Sequence, residues 1–223
     1  MVDTNVEEPI YDETQLSLLS IKDTSLQNSV YYFVHSGGAD SKKRFDEVTN
    51  QLAKDLMVKG ARVYVLENAD MDGYSSDSLS LAAKREVYGN YSSVINKKYL
   101  RHNGSYQRVI LLEDNATKGQ NTTLSVRHNA KSREGQQFAS VLHEVLRKNA
   151  KIPGKVQKET NAFKDEASVY LANNLVPPVI ILNFSDASDP KSPGFNLKAE
   201  KKPLAGLLND GILQDYSHLN LEN

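Results

Sequence analysis

Cysteine is absent from the 223 residues. Its absence excludes disulfide staples, a thiolate nucleophile and every Cys-based metal site. Long apolar runs are missing as well. No stretch approaches the roughly 20 residues that span a bilayer. Neither charge is in surplus: 27 basic and 28 acidic side chains leave a formal net charge of −1. Nucleic-acid binders usually carry a basic surplus, so nucleic acid is not an expected partner. The opening stretch, Met1 to Pro9, is acidic and lacks the apolar core of a signal peptide.

Several catalytic signatures are also missing. There is no Gly-x-Ser-x-Gly elbow, no P-loop and no dinucleotide fingerprint. His143-Glu144 has no second His four residues on, so it is not an HExxH zinc helix. His143 also stands off the apolar stripe of its segment and reads as a solvated helix-face residue.

What remains is the balance of a soluble globular protein. Apolar residues make up 39% and charged residues 25%, with a mean hydropathy of −0.52. The length suits one domain with a hydrophobic core. Residues 1–28 are polar and acidic and read as an N-terminal arm, leaving 29–220 as the domain.

The domain alternates strands and helices. Val30 to Val34 is a β-branched and aromatic run, hence a buried strand, and His35 to Asp40 is a turn. Phe45, Val48, Leu52 and Leu56 repeat at helical spacing, and Gly60 is a C-cap candidate. Arg62 to Leu66 is the next strand, which completes a βαβ unit and so a parallel pair. Asn68 to Ser80 reads as loop, Leu79 to Tyr88 as a helix, and Asn90 to Gln107 as a polar surface excursion. Arg108 to Leu112 is a strong strand and Thr122 to Val126 a weaker one. Phe138, Val141, Leu142, Val145 and Leu146 mark a second long helix. Pro177-Pro178 precede the strand Val179 to Leu182, where missing N–H groups do no harm. A basic loop, Lys191 to Pro203, leads to a final helix, Leu204 to Tyr216. The fold class is therefore α/β: a single domain whose twisted, mostly parallel sheet is flanked by helices.

The order of segments is more informative than any single motif. A strand runs into His35-Ser-Gly-Gly-Ala-Asp40, and the helix that follows starts with Glu47. Gly60 to Leu66 leads to an Asp-rich loop with Asp70 and Asp72. A later strand ends Ile110-Leu-Leu-Glu-Asp-Asn-Ala116, and a last one runs Val179-Ile-Ile-Leu-Asn-Phe184. This order, over roughly residues 29 to 218, resembles the zinc-dependent N-acetylmuramoyl-L-alanine amidases, the type 3 cell-wall amidase domain. In that family the corresponding turn reads Gly-His-Gly-Gly-x-Asp and the middle strand ends Ser-Ile-His-Ala-Asn-Ala.

The resemblance implies a zinc ion held by two His and one Glu, with an open position for water. The equivalent positions here are Ser36, Glu47 and Glu113, so only the Glu is kept. The family's general base falls on Ile181 or Leu182, beside Asn183, and no catalytic residue is assigned. A rival match on Ser125 to Ala130 would put Arg127 at a ligand position, with His128 beside it. His35 and His128 are therefore the candidates for relocated ligands.

Each residue also has a plain reading. Gly37 and Gly38 permit a tight turn, Glu47 suits a helix start, His35 makes a local hydrogen bond, and Glu113 with Asp114 forms a hydrated loop pair. The resemblance implies an amidase-like domain of the bacterial cell envelope that is non-catalytic. Its expected partners are peptidoglycan or envelope proteins, with no cofactor. An active metal-dependent amidase with relocated ligands is the alternative, and zinc belongs to that case alone. An unrelated α/β binding protein or hydrolase is the third reading. An envelope role implies a periplasmic or exported location, with a signal removed or outside this chain; a cytoplasmic location stays open.

Overall fold

The apolar runs of the sequence become the centre of one sheet. The computed structural model describes residues 23–36, 39–66, 80–115, 122–149, 156, 160–186 and 202–219. Its strands are β1 (Ser29–Ser36), β2 (Arg62–Leu66), β3 (Tyr106–Asn115), β4 (Thr122–His128), β5 (Asn161–Ala162) and β6 (Val179–Asp186). The helices among the described residues are α1 (Ala39–Met57), α2 (Leu81–Arg101), α3 (Arg133–Asn149), α4 (Glu166–Asn174) and α5 (Leu204–Leu219). The strand order is β2-β1-β3-β6-β4-β5. Strands β2, β1, β3 and β6 are parallel, β4 runs antiparallel to β6, and β5 pairs parallel with β4. The single α/β domain with a mostly parallel sheet is the architecture expected from the sequence.

Both faces of the central strands are covered, so β1 is buried along its whole length and reads as a continuous apolar run rather than an alternating one. Successive side chains nevertheless point to opposite faces. Tyr31, Phe33, Ile110, Leu112 and Leu182 pack with α1, α3 and α5 on what we call the first face. Val30, Tyr32, Val34, Leu111 and Ile181 pack with α2 and α4 on the second. The predicted α1 stripe of Phe45, Val48, Leu52 and Leu56 lies in the first-face core. Gly60 closes the turn after α1 at φ +88°, a left-handed conformation that glycine adopts freely. Helices α3 and α5 approach closely at Gly211, where a Cβ would run into the Leu142 side chain. Such an approach in a close-packed core leaves room for no larger side chain.

The structure corrects several expectations. The polar segment 90–107 is not a surface excursion: α2 continues to Arg101, and β3 begins at Tyr106. Tyr88, Tyr91 and Ile95 recur every three to four residues and are buried. Tyrosines carry that stripe, and the Lys and Asn between them disguise it. Asn96 then ties α2 to the end of α4: its amide donates to the Asn174 carbonyl at 2.7 Å, and its oxygen accepts from Val176 N at 2.9 Å. His143 is buried rather than solvated. Helix α3 packs against both the sheet and α5, so it buries a wider arc than one stripe. Glu113 and Asp114 are not a hydrated loop pair, because β3 extends through both and buries them. Helix α4 and the two-residue β5 carry too little periodicity to read from sequence.

The end of the acidic arm joins the body. Asp23 N donates to the Val58 carbonyl at 3.3 Å and Leu26 N to the Lys59 carbonyl at 2.9 Å, and the Leu26 side chain is buried. Residues 1–22, the turn glycines Gly37 and Gly38, the Asp70–Asp72 loop and nearly all of the basic loop lie outside the described residues. No helix among the described residues is long and apolar enough to cross a membrane.

Candidate functional site

Parallel α/β sheets bind ligands beyond the carboxyl ends of their strands. At that edge the register places Ser36 opposite Glu113, Glu113 opposite Asn183, and Asn183 opposite Ser125. The four residues form one row across β1, β3, β6 and β4. By alternation all four belong to the second face, with Val34, Leu111 and Ile181 behind them. Two of the three positions singled out by the resemblance, Ser36 and Glu113, therefore stand side by side.

Glu113 is the electrostatic centre of this row. It is 6% exposed, and burial pushes its carboxyl above the ordinary carboxylate value, against the pull of Arg127. Arg127, two residues beyond Ser125 on β4, donates from Nη1 to Glu113 Oε2 at 3.3 Å. Its Nη2 donates to Asp165 Oδ2. Asp165 is the N-cap of α4, accepting from Ser168 N at 2.8 Å. Partial burial works to raise the Asp165 carboxyl, but its hydrogen bonds from Ser168 and Arg127 hold it below the ordinary value. Tyr88 of α2 shares a hydrogen bond with Ser36. Asn115 hydrogen-bonds Glu113 and donates to Asn183 Oδ1 at 3.3 Å.

A cleft of about 480 Å³ opens beside the row, with Lys84, Glu113, Arg127, Lys164, Asp165 and Glu166 among its lining residues. Its outer wall is fixed by an ion pair of 2.9 Å between Arg85 and Glu166.

The other candidates lie elsewhere. His35 points to the first face, its ring 5.9 Å from that of Phe45 and its Nδ1 3.5 Å from Asp46 Oδ1. Glu47 is exposed on α1, whose apolar side packs on the first face. The helix begins at Ala39, so Glu47 stands in its third turn, beyond the reach of the N-terminal dipole. His128 pairs with Ile180, three rungs from the Glu113 row, about 10 Å away at the usual rise per residue. It too points to the first face, as Leu124 and Val126 do. The structure does not bring His35, Glu47 and His128 together with Glu113.

No family model matches the sequence, and no curated protein matches it. Solved structures do match. The CwlD amidase from Clostridioides difficile, solved in complex with the GerS lipoprotein, aligns with TM-score 0.56 and 12% identity, over 85% of this chain and 98% of its own. The amidase Ami1 from Mycobacterium smegmatis aligns with TM-score 0.56 and 12% identity, over 86% and 99%. The chain has the amidase fold. The catalytic domain of the CD27L endolysin, which targets Clostridia difficile, aligns likewise with TM-score 0.52 and 19% identity, over 83% and 97%.

The residues at the row do not fit the zinc ion that the resemblance implies. Ser36 offers a neutral hydroxyl where the resemblance calls for an imidazole. Glu113 offers a carboxylate already engaged by a guanidinium, whose positive charge opposes a divalent cation at the same oxygens. Among the described residues no group of three His, Asp or Glu side chains could hold a metal ion. The residues that define the cleft, Arg127 with Asp165, Lys84 and Lys164, were not candidates from sequence, apart from Arg127 in the rival match. The Asp165 cap was readable as an Asp before a helical Glu-Ala-Ser, but nothing local joins it to Arg127.

Proposed function

We propose that this amidase-fold domain binds peptidoglycan without cleaving it, and works in the bacterial cell envelope as a metal-free recognition module. One observation carries the reading: Glu113, which the sequence resemblance sets at a ligand position, is committed to Arg127, which is committed in turn to Asp165. A guanidinium bridging two carboxylates builds a rigid polar wall, not a Lewis-acid site. Asn115, which lines the cleft, adds an amide suited to the amide and hydroxyl groups of such a ligand. A protein partner is the second reading. CwlD was solved with a lipoprotein bound, so an envelope lipoprotein is the partner class for an assembly role.

Co-sedimentation with purified insoluble peptidoglycan, followed by analysis of the supernatant for released peptide, tests the proposal. The expected result is saturable binding with no peptide released above a heat-treated control. Release of stem peptide that a chelator abolishes would instead establish a metal-dependent amidase.

A further inference from the structure

We propose that the acidic segment 7–13 of this chain docks on a basic surface formed by the end of α2 and the start of β2. The surface lies at the amino edge of the sheet, opposite the cleft, so the inference stands apart from the binding reading above.

Between Glu86 and Glu113 the sequence holds no acidic residue. Lys97, Lys98 and Arg101 fall in the last turn and a half of α2, and His102 is its C-cap. Lys97 and Arg101 are exposed, while Lys98 is buried over the Tyr64 ring at 4.0 Å. Arg62, exposed at the start of β2, joins them: its Nη1 stands 2.8 Å from His102 Nδ1. Burial, with the charges of Arg62, Lys98 and Arg101, holds the His102 imidazole below the ordinary histidine value. Cations near a helix C-terminus suit its dipole. Arg62 belongs to another element, and its addition makes a local positive field that attracts an anionic partner. The surface is not purely polar. Leu100 is 71% exposed among these cations. Asn96, one turn earlier, bonds to Val176 N, and Val176 is 57% exposed.

The complementary partner is already in the chain. Residues 7–13 read Glu-Glu-Pro-Ile-Tyr-Asp-Glu, two acidic pairs on either side of an apolar pair. That pattern matches cations on either side of Leu100. The first 21 residues carry five acidic and no basic side chains, and the other 202 carry 27 basic against 23 acidic. The arm also joins the body beside this surface. Asp23 and Leu26 bond to the turn that precedes β2. Asn28 Nδ2 donates to the Gly104 carbonyl at 3.3 Å, and Asn28 Oδ1 accepts from Ser105 Oγ at 2.8 Å. Residues 23–28 therefore border the surface at both the turn before β2 and the turn after α2. The eleven residues from Asp12 to Asp23 reach up to about 36 Å, against about 11 Å for two turns of helix. Tethering sets a roughly millimolar effective concentration, at which ion pairs that are weak singly at a surface act together.

The chain has no cysteine, so a nitroxide on Val6→Cys of the full chain reports from one site. With the arm held by its tether, the ¹⁵N amide signals of Lys97, Leu100 and Arg101 are expected to lose about half their intensity or more. Those of Glu144 and Lys148, exposed on α3, should keep theirs. About 1 M NaCl, where the screening length falls to about 3 Å, should restore the α2 signals. Lys97→Gln with Arg101→Gln should restore them too. So should Glu7→Gln, Glu8→Gln, Asp12→Asn and Glu13→Gln together, a set that leaves the folded body untouched. Equal signal loss on α2 and α3, or no loss on α2, would overturn the proposal. Loss on α2 that survives neutralisation of the arm would overturn it as well. Loss in a mixture of labelled, unenriched chains with unlabelled, enriched ones would put the arm on a second copy and overturn its assignment to its own chain.

Discussion

Arg127→Met is expected to cost about 3 kcal/mol of stability at neutral pH, because it strands the buried Glu113 carboxylate without its cation. Glu113 is 6% exposed, and Arg127 Nη1 is its ion-pair partner at 3.3 Å. The more exposed Asp165 end of the bridge adds little. The pH dependence has a definite sign. Burial raises the folded-state pKa of Glu113, so the folded chain keeps this proton to a higher pH than the unfolded chain. Its contribution to stability is therefore greatest below the ordinary carboxylate value and declines as pH rises to the folded value. Removing Arg127 moves the folded value further up and widens that window. Urea unfolding at pH 7.5 and pH 5 should show a deficit that shrinks on acidification, and adding Glu113→Gln should restore most of it. A deficit independent of pH would show that Arg127 acts through packing rather than through Glu113.

The second large effect lies at the opposite end of β3. Asp215 of α5 is 1% exposed and Arg108 of β3 is 4% exposed. Arg108 Nε lies 3.5 Å from Asp215 Oδ2, and the Tyr106 hydroxyl donates to the same oxygen. The Arg108 guanidinium also stacks 4.0 Å from the centre of the Tyr106 ring and reaches out to Glu134 at 2.9 Å. Asp215→Ala would leave the buried guanidinium with the solvent-side Glu134 as its only carboxylate partner among the described residues, and would remove the acceptor of the half-buried Tyr106 hydroxyl. The expected loss is about 3–4 kcal/mol, a large part of a domain's stability. Thermal or urea unfolding measures it, and a loss below about 1 kcal/mol would contradict the assignment. Asp215 does not line the cleft, so the folded variant should bind peptidoglycan as the wild type does.

Strong periodicity made much of the fold legible. The run Val30 to Val34, the stripe from Phe45 to Leu56 and the Pro-flanked strand Val179 to Leu182 each form the predicted element. Where composition disguised the pattern, the sequence misled. The α2 stripe is built from tyrosines among Asn and Lys, and so reads as a polar loop. The edge row was half legible. The segment order singled out Ser36 and Glu113, and the register sets them side by side. The ion bridge was not legible, because Arg127 and Asp165 lie on separate elements that only the sheet and α4 bring together. The side-chain directions of His35 and His128 were equally hidden. A strand turns each residue to one face or the other, and one position's difference sends His35 away from the face that Ser36 occupies.

Metal content separates a recognition module from a metalloenzyme. Untagged protein, equilibrated with Zn²⁺ and desalted, would be assayed by inductively coupled plasma mass spectrometry. The expected result is zinc at the level of the buffer control, because Glu113 is engaged by Arg127 and Ser36 offers only a hydroxyl at the positions that the resemblance singles out. Near-stoichiometric zinc that disappears in Glu113→Gln or Glu47→Ala would contradict it and identify a working metal site.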